Sequence, residues 1–306
     1  MKRYRDIASD GGSDIAQQVA AQAQRASARL AQVHHVVAVM SGKGGVGKST
    51  LTVNLAAVLA RKSHAVGILD GDINGGSVAK MMGVRAWTPR ATSQGMLPAE
   101  AEFGIRVMSI DLFLPQDATP VLWRAPSQEG AYHWRTMMDV AALREMLSDT
   151  KWGALDILFI DLPPGADKLP NASDVVPKLS GTVVVTGPSD VSRLVVGRSM
   201  TMARDVVHTP VIGLIENMGP YTCSRCGHEE ELFPSGHARR LAEEHDVEYL
   251  GCVPFDPRLS RAMDDGGLFA TRFPDRPASR ALSSAADRVA EFLGLLPQSS
   301  MNGHTS

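Results

Sequence analysis

Two short stretches of this chain hold residue types at spacings that could do chemistry. The first, "GKGGVGKST", runs from Gly42 to Thr50 and satisfies the pattern G-x-x-x-x-G-K-[ST] at Gly42, Gly47, Lys48 and Ser49. Glycines at Gly44, Gly45 and Gly47 let successive backbone N–H groups, that of Val46 among them, curl around phosphate oxygens. A helix opening at the end of the loop adds a dipole that favours an anion. Lys48 would then neutralise the β- and γ-phosphates, and Ser49 would ligate Mg²⁺. A bound nucleotide is the expectation.

The second stretch, "CSRCGHEEELF", begins at Cys223 and holds two of the three cysteines in 306 residues. Two thiolates cannot complete a four-ligand metal site. Cys223 and Cys226 could therefore hold a metal with ligands from elsewhere, form a disulfide or do nothing; half a zinc ribbon with His228 as third ligand and a redox dithiol are further readings. A redox pair would sit at a strand-to-helix start, where the helix dipole lowers the thiol pKa. Here Pro220 and Gly227 bracket the pair in a loop. Cys252, within "EYLGCVPF", reads as a buried strand residue. His34, His35 and His133 lack ligand spacing and read as structural.

Carboxylates and an amide fall at strand ends, where ligands bind in an open α/β sheet. "ILFIDLPPG" places Asp161 at the end of an apolar strand, the position from which an Asp holds Mg²⁺ through water. "ILDGDINGGS" places Asp70 and Asp72 just past another strand, in a run whose Asp and Gly also suit a plain turn. "IENMG" places Asn217 at a third strand end.

The elements that must position these residues are legible from periodicity. Continuous apolar runs at Val36–Met40, Ala65–Asp70, Ile105–Ile110, Leu155–Asp161, Thr182–Gly187, Pro210–Asn217 and Glu248–Phe255 read as buried strands. Helical stretches follow the loop at Ser49–Lys62 and lie around Val140–Leu147, Arg193–Val206 and Ala238–His245. A final amphipathic helix ends near Gly294. This alternation predicts an α/β fold with a doubly wound, mostly parallel sheet. An Ala/Gln-rich helical leader occupies residues 1–35, the main domain 36–296 and a disordered tail 297–306.

Hydrophobic residues make up 44% and charged residues 21%, with a net charge of −2. No basic field argues for nucleic acid or an anionic membrane. No apolar run approaches the roughly 20 residues of a membrane span, and the basic start lacks the apolar stretch of a signal peptide. A soluble cytoplasmic protein is expected.

Lys43, directly after the first glycine of the loop, gives the stretch a resemblance to the deviant Walker A loop of the MinD/ParA-like P-loop ATPases. That likeness implies that Lys43 reaches the nucleotide of a facing subunit, so that ATP closes a homodimer. It also implies that Asp72 positions or activates the attacking water, that Asp70 supports the magnesium end and that Asn217 recognises adenine. From about Val36 to Phe273 the chain further resembles the Mrp/ApbC iron–sulfur cluster carrier ATPases. "WGALDILFIDLPPG" and "ENMGPYTCSRCGHEEELFPSG" carry that likeness, and the second is the more specific. It implies that Cys223 and Cys226 meet the same two cysteines of a second chain and share a 4Fe–4S cluster delivered to apo iron–sulfur proteins. Lys43, Lys48 and Asp72 would carry a slow ATP hydrolysis. The competing class is a MinD/ParA-like positioning or regulatory switch, with a structural zinc or no metal at the cysteines. Two segments depart from the family. "DLPPG" continues with Ala166, Asp167 and Lys168 in place of Thr-Gly-Asp, and Ser127–Leu143 has its own sequence, with Tyr132, His133 and Trp134.

Overall fold

The computed structural model describes residues 15–116, 119, 121, 131–176, 178–188, 190–223, 225–233 and 236–296. The side chains at 15–19, 131–137 and 190–193 are outside that description, and with them Tyr132, His133 and Trp134. The tail expected from residue 297 onward also lies outside the described residues.

The chain opens with α1 (Ile15–Leu30), β1 (Val33–Ser41), α2 (Lys48–Arg61), β2 (Val66–Asp70) and the short α3 (Val78–Met81). Small edge elements follow: β3 (Arg90–Thr92), β4 (Gly95–Leu97), β5 (Ala99–Glu100) and β6 (Arg106–Met108). Next come α4 (Ala131–Asp149), β7 (Leu155–Asp161), α5 (Lys168–Ser173), β8 (Gly181–Thr186) and α6 (Asp190–Thr201), which runs into a π turn at Met202–Val206. The last part comprises β9 (Val211–Gly219), β10 (Tyr221–Thr222), β11 (Glu229–Glu230), α7 (His237–Glu244), β12 (Tyr249–Pro254), α8 (Pro257–Asp264), α9 (Phe269–Arg272) and α10 (Pro277–Phe292).

Eight strands form one sheet in the order β12-β9-β8-β1-β7-β2-β6-β5. Every pairing is parallel except β5 with β6. The central strands are apolar without alternation because helices cover both faces; β8 is buried at all six positions. Register then does chemistry's first work. Asp70 on β2 and Val39 on β1 both pair with Asp161 on β7, so two carboxylates end side by side, next to the loop that leaves β1.

Helix α2 shows why the loop is held firmly. Leu51 to Ala60 are all buried, and the amide midway, Asn54, is bonded at both ends: Nδ2 donates to the Thr50 carbonyl at 2.8 Å, and Oδ1 accepts from Ala270 N at 3.0 Å. The leader helix packs onto the domain. Ala26 and Leu30 of α1 are buried, and Arg29 Nε donates to the Ser148 carbonyl at the end of α4 at 3.4 Å. β1 begins at Val33, three residues before the apolar run that signals it, because His34 and His35 occupy its solvent-facing start. Among the described residues no helix is long and apolar enough to cross a membrane.

Candidate functional site

The loop between β1 and α2 has the backbone its glycines permit. Gly45 and Gly47 take φ +80° and +82°, a left-handed conformation costly for any side chain. Gly47 also has no room, since a Cβ there would fall 2.2 Å from Asn217 Nδ2. That amide donates to the Val46 carbonyl at 2.9 Å, so Asn217, at the end of β9, lies beneath the loop and holds it. Gly42 is equally restricted: a Cβ would approach Val195 Cγ1 to 2.7 Å. Lys43, by contrast, is exposed at the loop's tip with Gly44 and Gly45.

Below the loop, Asp161 is fully buried and three side-chain donors of α2 converge on it. Lys48 Nζ lies 2.7 Å from Oδ1, Thr52 Oγ1 donates to Oδ1 at 2.8 Å and Ser49 Oγ donates to Oδ2 at 2.5 Å. A carboxylate this deep requires such pairing. Sequence reading missed Thr52; its signal is a hydroxyl one turn after Lys48, on the face that α2 turns to the sheet. The Ser49 hydroxyl and the Asp161 carboxylate are hard oxygen donors at a helix N-terminus beside a phosphate loop, a set that suits Mg²⁺.

Asp70 is buried beside Asp161, and protein donors occupy both its oxygens. Oδ2 accepts from Ser77 N at 3.0 Å, Val78 N at 3.2 Å and Ser109 Oγ at 3.1 Å, while Oδ1 accepts from Asp72 N at 3.2 Å. Burial and then repulsion from Asp161 push its pKa up to about 7, from an ordinary 3.8. Asp72, half-buried at the rim, is also raised, chiefly by burial. Its Oδ1 accepts from Gly75 N at 3.1 Å.

Between about pH 4 and pH 7 the folded chain holds a proton on Asp70 that the unfolded chain has lost. Stability contributed by this group therefore falls as pH rises through that window. The nucleotide-free protein is expected to melt at a lower temperature at pH 7.5 than at pH 5.5, with a shallower dependence in Asp70→Asn. Identical slopes in a thermal melt series would contradict this.

The cysteines sit on a separate projection. Past Asn217, β9 turns through Met218, which is left-handed at φ +61°, into the antiparallel pair β10–β11. Cys223 N donates to the His228 carbonyl at 2.8 Å, and Gly227 N to the Cys223 carbonyl at 2.9 Å. The result is a small knuckle with Cys223 half-exposed and Cys226 exposed. Backbone N–H groups of Arg225 and Cys226, then the Cys226 side chain, hold the Cys223 thiol below its ordinary range, which favours a metal-binding thiolate. No group of three or more His, Cys, Asp or Glu side chains placed to hold a metal exists among the described residues. Cys252 behaves oppositely: burial, then the nearby Glu216, push its thiol up to about 12. Phe255, Leu232 and Phe233 are exposed, and Phe255 meets Tyr221 of β10 edge-on at 6.4 Å.

The structure thus gathers Lys48, Ser49, Asp161 and Asp70 into one buried cluster, with Asp72 at its rim and Asn217 under the loop. The second strand-end loop is pinned by Gly165 N donating to the Ser41 carbonyl at 2.9 Å. Its unusual residues Asp167 and Lys168 pair with each other at 2.9 Å.

A mostly parallel sheet, a glycine loop capped by a buried helix and a lysine–aspartate–serine cluster at adjoining strand ends define a P-loop NTPase of the MinD/ParA-like class. The chain belongs to the NUBPL iron-transfer P-loop NTPase family within the ParA group, whose model matches residues 32–290. It is 39% identical over 280 residues to an iron-sulfur cluster carrier protein of Saccharolobus solfataricus, covering 91% of this chain and 90% of that one. A carrier of the same name from Methanocaldococcus jannaschii is 41% identical over 238 residues, 78% of each chain. A nucleotide-binding protein of Archaeoglobus fulgidus, solved in complex with ADP, superposes with a TM-score of 0.68 at 33% identity, over 80% of this chain and 92% of that one. The Pyrococcus furiosus cell division ATPase MinD shares the fold, with a TM-score of 0.58 at 18% identity over 84% and 98%.

Proposed function

We propose that this protein is a cytoplasmic, homodimeric ATPase that binds Mg·ATP and carries a 4Fe–4S cluster as cargo for apo iron–sulfur proteins. The observation that carries the reading is the joining of two sites by one strand. β9 brings Asn217 under the phosphate loop and, six residues on, presents Cys223 and Cys226 on an exposed knuckle. A knuckle with two thiols supplies half of the four ligands a cubane cluster takes, and the same pair on a second chain supplies the rest. The carrier relatives support this cargo, and the ADP-bound relative supports a nucleotide in the loop.

In this reading the backbone N–H groups of Gly44 to Ser49 and Thr50 hold the phosphates, and Asn217, already at the loop, recognises the adenine edge. Lys48 and the partner-reaching Lys43 stabilise charge on the γ-phosphate. Bound Mg²⁺, held by Ser49 and through water by Asp161, would neutralise the β- and γ-oxygens. Asp70 supports that end by fixing the start of the Asp72 loop, and Asp72 orients the attacking water. The test is delivery. Cluster-loaded protein should pass its cluster to an apo 4Fe–4S protein at a rate that ATP changes. Nucleotide-dependent dimerisation with no transfer would favour the positioning-switch reading instead.

A further inference from the structure

Helix α4 runs beside the loop that bears Asp72, and two of its residues reach that loop on either side of the aspartate, one at the Gly71 backbone and one at the Asn74 side chain. Leu143 lies against Gly71: a Cβ there would meet Leu143 Cδ1 at 3.6 Å and the Asp161 carbonyl at 3.1 Å. Asp139, four residues earlier and so on the same helix face, accepts a hydrogen bond from Asn74 Nδ2 at 3.0 Å. Upstream, Gly71 N donates to the Asp161 carbonyl at 2.9 Å. The loop is therefore tied to the sheet before Asp72 and to α4 after it. A small cavity of about 150 Å³ separates these parts, lined in part by Asp72, Asn74, Asp139, Pro163 and Lys168.

We propose that Asp139 is a positioning residue for ATP hydrolysis, holding the Asp72 loop where its carboxylate can orient water; this rests on the ATPase reading above. Asn74 and Gly75 are exposed, and Gly75 and Gly76 follow in a backbone with wide conformational freedom. Asp70 ties the two ends of this segment through Asp72 N, Ser77 N and Val78 N, and a contact from α4 can hold the exposed middle against local opening. α4 is fit to do so because it is itself fixed: Leu143 and Leu147 are buried, and its far end is braced by Arg25, whose Nε lies 3.7 Å from Asp149 Oδ1, and by Arg29. Asp139 does not touch substrate. It acts through Asn74 on the height and orientation of Asp72, and it lies in the segment whose sequence is this chain's own.

Asp139→Ala is expected to lower kcat for ATP about fivefold, within the roughly two- to tenfold that one such hydrogen bond commands, with KM for ATP unchanged. Asn74→Ala should lose as much, and the double variant no more than either single. Asp139→Asn keeps a carbonyl oxygen that can accept from Asn74 and should retain most turnover. Hydrogen exchange of the amides from Asp72 to Val78 in nucleotide-free protein should quicken in both alanine variants. Unchanged kcat and exchange in Asp139→Ala would overturn the proposal, as would losses that multiply in the double variant. Absence of turnover in the wild type, with exchange still quickening in the variants, would instead remove the ATPase reading and with it the catalytic part of this one.

Discussion

Replacing Lys48 with alanine is expected to weaken ATP binding by at least about a hundredfold, because it removes the buried cation of the loop that, in the proposed function, neutralises the β- and γ-phosphates. The same change leaves Asp161 buried without its charge partner, a loss of about 3–5 kcal/mol for a pair this deep. Ser49 and Thr52 still donate to that carboxylate, so the variant should fold but melt early. Asp72→Ala separates binding from turnover. Asp72 is half-buried at the rim and, among the described residues, its side chain bonds its own loop, so nucleotide binding should survive while hydrolysis falls about 10²–10⁴-fold, as for loss of a general base. Isothermal titration with ATP and single-turnover hydrolysis read the two effects apart. Wild-type affinity in Lys48→Ala would refute the assigned phosphate contact, and wild-type turnover in Asp72→Ala the assigned water contact.

The parts of this site that were legible in the sequence are those dictated by backbone chemistry and by burial. Gly45 and Gly47 need positive φ, Lys48 and Ser49 need a helix start, and Asp161 needs an apolar strand behind it; each requirement leaves a mark in one short stretch. The seven central and flanking strands were legible because a sheet covered on both faces demands continuous apolar runs. What was not legible depends on pairing across the chain. β3, β4 and β5 are two or three residues each, too short to show a period, and are held by their partners. Helix α8, started by Asp256 accepting from Arg258 N at 3.0 Å with Pro257 behind it, had a readable cap but too short an apolar pattern. Thr52 and Asp139 acquire their roles only when register places Asp161 and Asn74 opposite them. Asn217 shows the limit most clearly. Its position at a strand end was readable, whereas its bond to the Val46 carbonyl required the fold.

The second large effect concerns the knuckle. Cys223→Ser and Cys226→Ser should each abolish iron binding. Serine is a harder and far more basic ligand than thiolate, and the described residues offer no third group to compensate. Fold and nucleotide affinity should be unaffected, because the knuckle projects from β9 and Cys226 is exposed. Cys252→Ser serves as the contrast. Its thiol is held neutral by burial and by Glu216, so iron content should not change.

The central claim is that the two thiols of one chain are half of a shared cluster site, and metal stoichiometry tests it most directly. The protein is reconstituted anaerobically with iron and sulfide, separated from excess reagent at a size that reports its oligomeric state, and assayed for iron, sulfide and zinc. About four irons and four sulfides per two chains in a dimer are expected, with both lost in Cys223→Ser and in Cys226→Ser. Stoichiometric zinc in place of iron, or iron retained equally in both variants, would contradict it.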